Sequence, residues 1–106
     1  MKGLRYYVTD AGKKPFLEWR ERLTEKTKAR IDRYLERVTQ GGAKRNIKPL
    51  GEGLCEIKID TGPGYRCYFG EVDNVMILLL LGGDKSSQDQ DIKKARLYWR
   101  AYHAKN

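Results

Sequence analysis

Two segments of this chain carry residues that can act on a phosphate. Leu54 to Asp60 (LCEIKID) and Arg66 to Glu71 (RCYFGE) alternate between apolar and polar residues, the period of a half-buried strand, and Thr61-Gly62-Pro63-Gly64 reads as the turn between them. Registering this hairpin with Ile57 opposite Phe69 and Ile59 opposite Cys67 gathers Cys55, Ile57, Ile59, Cys67 and Phe69 on one buried face. A slip of one residue would set Arg66 against Ile59 and put its charge into the core, which desolvation penalises. The favoured register collects Glu56, Lys58, Asp60, Arg66 and Tyr68 on the other face, and Lys85, after the next strand, can converge there. Cations and a phenol on rigid strands, beside acids that hold them, can receive a phosphodiester. The same alternation also describes an ordinary wet sheet face crossed by charge pairs, so the pattern alone leaves both readings open.

The elements that must position these residues follow from periodicity and turn chemistry. Leu4 to Thr9 (LRYYVT) is aromatic and β-branched and reads as a first strand, ended by Asp10-Ala11-Gly12. Pro15 suits the first turn of a helix, and Phe16, Trp19, Arg20 and Leu23 recur at helical spacing behind it. A second helix is expected from about Thr27 to Gln40, with the stripe Ile31, Tyr34, Leu35, Val38 and a stop at Gly41-Gly42. The two are expected to form an antiparallel hairpin. Val75 to Leu81 (VMILLLL) lacks alternation and is placed centrally in the sheet, covered on both faces. Ser87 with Gln90 matches a capping box for a last helix whose inward stripe is Ile92, Ala95, Trp99 and Tyr102. The expected fold is α+β over residues 1–106 as one domain. Its order is β-α-α-β-β-β-α: a four-stranded, mainly antiparallel sheet, an N-terminal helical hairpin and a C-terminal helix.

Composition narrows the partners. At 106 residues the chain can bury a core without staples, and its longest apolar run, Val75 to Leu81, is far short of the roughly 20 residues a membrane span needs. The N-terminal MKGLRYYVTD has no apolar signal core, so a cytoplasmic location is expected. Cys55 and Cys67 form no Cys-x-x-Cys pair and only His103 is available to join them, so neither a zinc site nor any other metal or cofactor is expected. The net charge of +8 favours a polyanion, with nucleic acid ahead of a membrane surface. The excess sits in the helices and one loop: Lys26, Lys28, Arg30, Arg33 and Arg37 line the second helix, and Lys44, Arg45 and Lys48 the Gly-rich loop after it. Loop residues held by a scaffold are the better RNA-binding candidates, because exposed helix charges are commonly just solvated.

The run Lys48-Pro49-Leu50-Gly51-Glu52-Gly53-Leu54, followed by Glu56-Ile57-Lys58, resembles the loop and second strand of the RelE/HigB family of toxin–antitoxin killer proteins. Gly64-Tyr65-Arg66-Cys67-Tyr68-Phe69 resembles that family's third strand. Leu79-Leu80-Leu81-Gly82-Gly83-Asp84-Lys85-Ser86-Ser87-Gln88, leading into Asp91-Ile92-Lys93-Lys94-Ala95, is similar to its phage-derived HigB-like branch. The resemblance covers nearly the whole chain and implies a RelE/ParE-superfamily toxin: a ribosome-dependent, metal-independent endoribonuclease that cuts mRNA in the A site. In that chemistry the RNA's own 2′-OH attacks the adjacent phosphate. The resemblance makes Arg66 the residue that bears transition-state charge, Lys58 the stabiliser or base at the attacking oxygen, and Lys85 the phosphate clamp. Near the C-terminus Tyr98, Tyr102 and His103 compete for a further place. Tyr102 is preferred for stacking or leaving-group help, with a core aromatic beside Trp99 as the alternative.

The resemblance also implies an adjacently encoded helix-turn-helix antitoxin, with operator DNA bound only through it; the RNA-binding candidates, read from charge and position, are Lys44, Arg45, Lys48, Tyr68, Arg30 and Arg33. Two other functions fit the same sequence. A ParE-like inhibitor of DNA gyrase would bind and cleave nothing, and a non-catalytic RNA-binding module would show salt-dependent affinity without strand scission.

Overall fold

In the computed structural model, which describes residues 1–106, the apolar run near residue 80 is the strand on which both layers of helix pack. The chain order is β1 (Gly3–Tyr6), α1 (Pro15–Glu21), α2 (Glu25–Thr39), a 3-10 turn (Lys44–Asn46), β2 (Ile47–Gly51), β3 (Leu54–Ile59), β4 (Tyr65–Val72), β5 (Met76–Gly83), a second 3-10 turn (Lys85–Ser87) and α3 (Gln88–Lys105). The strands form one five-stranded sheet in the order β1-β5-β4-β3-β2, with β1 parallel to β5 and the other pairs antiparallel. The α+β class is as expected. The sheet is mixed and has one strand more than expected, because Ile47–Gly51 pairs with β3 where a loop was read. Its Pro49 cannot donate to a ladder, which an edge strand tolerates.

Local chemistry explains the helices. Pro15 occupies the first turn of α1, and the Thr24 side chain caps α2 by accepting from Thr27 N–H, so α2 begins two residues before the expected Thr27. Ile31, Leu35 and Val38 of α2 join Phe16 and Trp19 of α1 over Ile57, Ile59, Cys67, Phe69, Ile77 and Leu79. The helical hairpin is more open than expected: α1 lies on β5 while α2 reaches β3, and Arg20 ties them by donating to both oxygens of Asp32 at 3.0 and 2.6 Å. On the other side of the sheet, α3 lays Ala95 and Trp99 over Leu54, Tyr68, Leu78, Leu80 and Leu81. No helix is long and apolar enough to cross a membrane.

Three corrections concern the sheet. β5 lies between β1 and β4 rather than at the centre, though both its faces are covered. The β3–β4 register pairs Ile57 with Cys67 and Cys55 with Phe69, two residues away from the expected pairing. A two-residue shift preserves which side chains face which way, so the division of faces holds. Lastly, the face expected to be wet is largely covered by α3, and Tyr68 is 0% exposed.

Candidate functional site

The register brings two of the expected cations side by side. Lys58 pairs with Arg66 across β3–β4, and Arg66 pairs with Gly83 across β4–β5, so the three positions form a row at one end of the sheet. Lys85 follows Gly83 by two residues, and its backbone N–H donates to Pro63 O at 3.5 Å, docking the 3-10 turn onto the β3–β4 turn. A methyl group at Gly64 would stand 3.2 Å from Arg66 Nη1 and 3.6 Å from Lys85 Cβ, so that glycine separates the two cations. Lys58 and Lys85 are exposed and form no salt bridge.

Arg66 is only 7% exposed. Its Nη1 donates to Gly64 O at 2.7 Å, while its Nε lies 4.0 Å from Glu56 Oε2 and is buried without a hydrogen bond. Nη2 makes no hydrogen bond within the protein and is not among its fully buried unpartnered atoms. Glu56, itself 5% exposed, accepts from Gln88 Nε2 of α3 at 3.0 Å. Asp91 accepts from Ser87 Oγ at 2.6 Å and fits against Gly83, where a methyl group would come within 1.9 Å of Asp91 Oδ2.

Tyr68 does not fulfil its expected RNA-binding role. Its ring belongs to the α3-side core, and its buried hydroxyl meets no partner at hydrogen-bond geometry. Burial first, and the Glu56 charge second, push its pKa well above the usual tyrosine value. An orphaned buried hydroxyl costs about 1–3 kcal/mol, so Tyr68→Phe is expected to leave stability unchanged or raise it by up to about 1 kcal/mol. Thermal melting checks this; a loss of more than about 1 kcal/mol would mean that the hydroxyl is bonded after all.

The expected capping box at Ser87 and Gln90 does not form, since Ser87 makes no capping bond. Asp84 takes over one turn earlier, where its Oδ1 accepts from Ser86 Oγ at 2.5 Å and Ser86 N at 2.8 Å. These two bonds, the hydroxyl's first, hold the Asp84 carboxyl below the usual carboxylate range. The stabilisation they give is complete above the ordinary carboxylate pKa and is lost as pH falls through the depressed one. The amide signal of Ser86 is therefore expected to titrate by NMR with a midpoint below 3.8, and a midpoint at or above that value would contradict the bond.

Four of the remaining cations adjoin this end of the sheet. Asn46 Nδ2 donates to Lys58 O and to Asp60 Oδ2, both at 2.9 Å, anchoring the turn that carries Lys44 and Arg45. Arg30 Nη2 donates to Asp60 O at 3.3 Å, which brings α2 to the same corner. Lys48 pairs with Glu56 from the edge strand and is exposed. Arg33 is exposed on α2 three residues beyond Arg30 and makes no side-chain bond. Sequence pattern missed Asn46 and Gln88, because each acts through a contact between segments distant in the chain.

Tyr102 is not at the site. It stacks on Trp99 with ring centroids 5.9 Å apart, and Trp99 Nε1 donates to Glu52 O at 2.8 Å, at the β2–β3 turn. Gln88 and Tyr102 stand at opposite ends of α3, roughly 20 Å apart at 1.5 Å per residue. Tyr98 stacks on Tyr7, and His103 packs edge-on against Trp99, so none of the C-terminal candidates approaches Arg66. The alternative reading of Tyr102 as a core aromatic beside Trp99 is the one the structure supports.

The site is thus one buried, oriented guanidinium flanked by two free ammonium groups, with a rim of further cations. Cations grouped in this way have the chemistry to receive an anion such as a phosphate. No protein-family model matches the chain. Over 83 residues it is 42% identical to an uncharacterized protein of Haemophilus influenzae, an alignment covering 77% of this chain and 83% of the relative. The chain therefore belongs to the same family as that Haemophilus influenzae protein.

Proposed function

We propose that this chain is a toxin of the RelE/ParE superfamily, HigB-like, that cleaves mRNA in the ribosomal A site. The observation carrying this reading is the convergence of Arg66, Lys58 and Lys85 at one end of the sheet, with Arg66 Nη2 bonded to nothing in the protein. The reaction needs a stabilised 2′-oxygen nucleophile, stabilised charge on phosphorus and a proton for the departing 5′-oxygen. Lys58 serves the attacking oxygen and Arg66 the non-bridging oxygens, where its permanent charge and planar fork suit a phosphorane. Lys85, an exposed ammonium with no acceptor in the protein, clamps the phosphate; with Tyr102 distant, it is also the nearest proton donor for the leaving oxygen. The 2′-oxygen gives up its proton to solvent and forms a new bond to phosphorus as the P–O5′ bond breaks and O5′ takes a proton from Lys85, which yields a 2′,3′-cyclic phosphate and a 5′-hydroxyl.

The rim of Arg30, Lys44, Arg45 and Lys48 supplies contacts to RNA backbone, and no cofactor takes part. A helix-turn-helix antitoxin encoded beside this chain neutralises it in the cytoplasm and links it to operator DNA. The test is to map RNA 5′ ends in cells after brief induction of the wild type, Arg66→Ala and Lys85→Ala. New ends inside translated codons are expected for the wild type and for neither variant. Growth arrest without new ends would replace nuclease activity with gyrase inhibition. Neither ends nor arrest would leave a binding module.

A further inference from the structure

We propose that Glu56 is a positioning residue: from beneath the first turn of α3, its carboxylate sets the rotation of the Arg66 guanidinium and so leaves Nη2, which bonds nothing in the protein, for a ligand. This rests on the proposed role of Arg66 in RNA cleavage. Three observations carry it. Both side chains are buried, at 5% and 7% exposure, and Arg66 is the one cation within 4.0 Å of the Glu56 carboxylate. Lys48, which stands opposite Glu56 on the edge strand, is exposed and makes no ion pair with it. The guanidinium is also constrained at two of its nitrogens, by the Gly64 carbonyl at Nη1 and by the charge of Glu56 at Nε. With its plane fixed at two nitrogens, the guanidinium presents its remaining N–H groups, those of Nη2 first, in a set direction.

Glu56 does not itself face the outside. Gln88 Nε2 donates to Oε2, the same oxygen that lies nearest Arg66 Nε, so the first residue of α3 fixes the carboxylate that orients the arginine. A buried charge of this kind is screened little by salt, so its hold on the guanidinium persists at physiological ionic strength. The arrangement gives Glu56 no contact with the reacting atoms, and its effect passes through Arg66.

The test compares Glu56→Gln in the wild-type and Arg66→Lys backgrounds, using single-turnover cleavage on programmed ribosomes. Glutamine can still bond Gln88 but lacks the charge that draws Nε. In the wild-type background the substitution is expected to slow cleavage about 10- to 100-fold, the cost of a reacting group misplaced by about an ångström, with half-saturation by ribosomes unchanged within about twofold. In the Arg66→Lys background, where no fork remains to be oriented, it is expected to cost less than about threefold. An unchanged rate, or an equal cost in both backgrounds, would overturn the proposal. The 15N-resolved Nε–H signal of Arg66 gives a readout independent of cleavage. Its exchange with water is expected to accelerate about tenfold or more when the charge that holds the buried Nε in place is removed, and unchanged exchange would also overturn the proposal. Should Glu56→Gln fail to fold, Gln88→Ala, which frees the carboxylate while keeping its charge, is expected to move both readouts in the same direction. If the wild type cuts no RNA, the nuclease reading fails and the Nε–H signal alone decides the role of Glu56.

Discussion

Arg66→Lys is expected to slow RNA cleavage by about 10²- to 10³-fold, the usual consequence of losing one preorganised donor to a developing oxyanion. Nη1 of Arg66 donates to Gly64 O at 2.7 Å, Nε faces Glu56 at 4.0 Å, and Nη2 bonds nothing in the protein. A lysine ammonium is a single compact charge. It can stay with the buried carboxylate or reach the phosphate, but it lacks the fork that spans both. Because the variant keeps a cation beside Glu56, the large penalty for stranding a buried carboxylate is avoided, so activity falls far more than stability. Single-turnover cleavage with melting curves on the same samples separates the two effects. Cleavage within about threefold of the wild type would remove Arg66 from the chemistry, since a lost oxyanion donor costs far more.

Gly82→Ala and Gly70→Ala are each expected to destabilise the fold by about 3 kcal/mol or more, lowering the melting temperature by about 10–20 °C. The sign is informative, because in an extended segment without positive φ an alanine ordinarily gains about 0.5–1 kcal/mol over glycine. Here the added methyl carbon would stand 2.1 Å from Trp19 Cε3 at Gly82 and 2.2 Å from Trp99 Cζ3 at Gly70. Each indole lies flat against bare backbone, Trp19 on the α1 side and Trp99 on the α3 side, so a methyl group forces the whole helix outward. Pairing Gly82→Ala with Trp19→Leu is expected to recover part of the loss, which locates the clash by its non-additivity. A change in melting temperature under about 2 °C would mean that the helices do not seat on these glycines as described.

Much of this architecture was legible because alternation fixes which side of a strand a residue occupies. Cys55, Ile57, Ile59, Cys67 and Phe69 do share the α1–α2 face, and Lys58 and Arg66 do share the other. Alternation does not fix the offset, since a two-residue slip keeps every side chain on its face. The turn settles it: Gly62 and Gly64 both take positive φ, which closes the chain tightly enough to pair Ile59 with Tyr65. β2 was hidden by Pro49 and Gly51, residues that read as loop and that only an edge strand accommodates. The inward stripe of α3 was visible from its spacing, but its direction across the sheet was not. That direction buries Tyr68 and carries Tyr102 away from the site, so both were read into a surface they do not reach. Alternation put Arg66 and Lys58 on one face, but their pairing with each other depends on the offset that the turn sets, and Lys85 lies in the 3-10 turn beyond β5.

The most direct test of the central claim uses the purified chain with ribosomes halted on a defined mRNA, followed by analysis of the RNA ends. Scission is expected within the A-site codon, leaving a 2′,3′-cyclic phosphate and a 5′-hydroxyl, and slowed about 10²- to 10³-fold with Arg66→Lys at equal ribosome occupancy. Intact mRNA on ribosomes saturated with folded wild-type protein would contradict it.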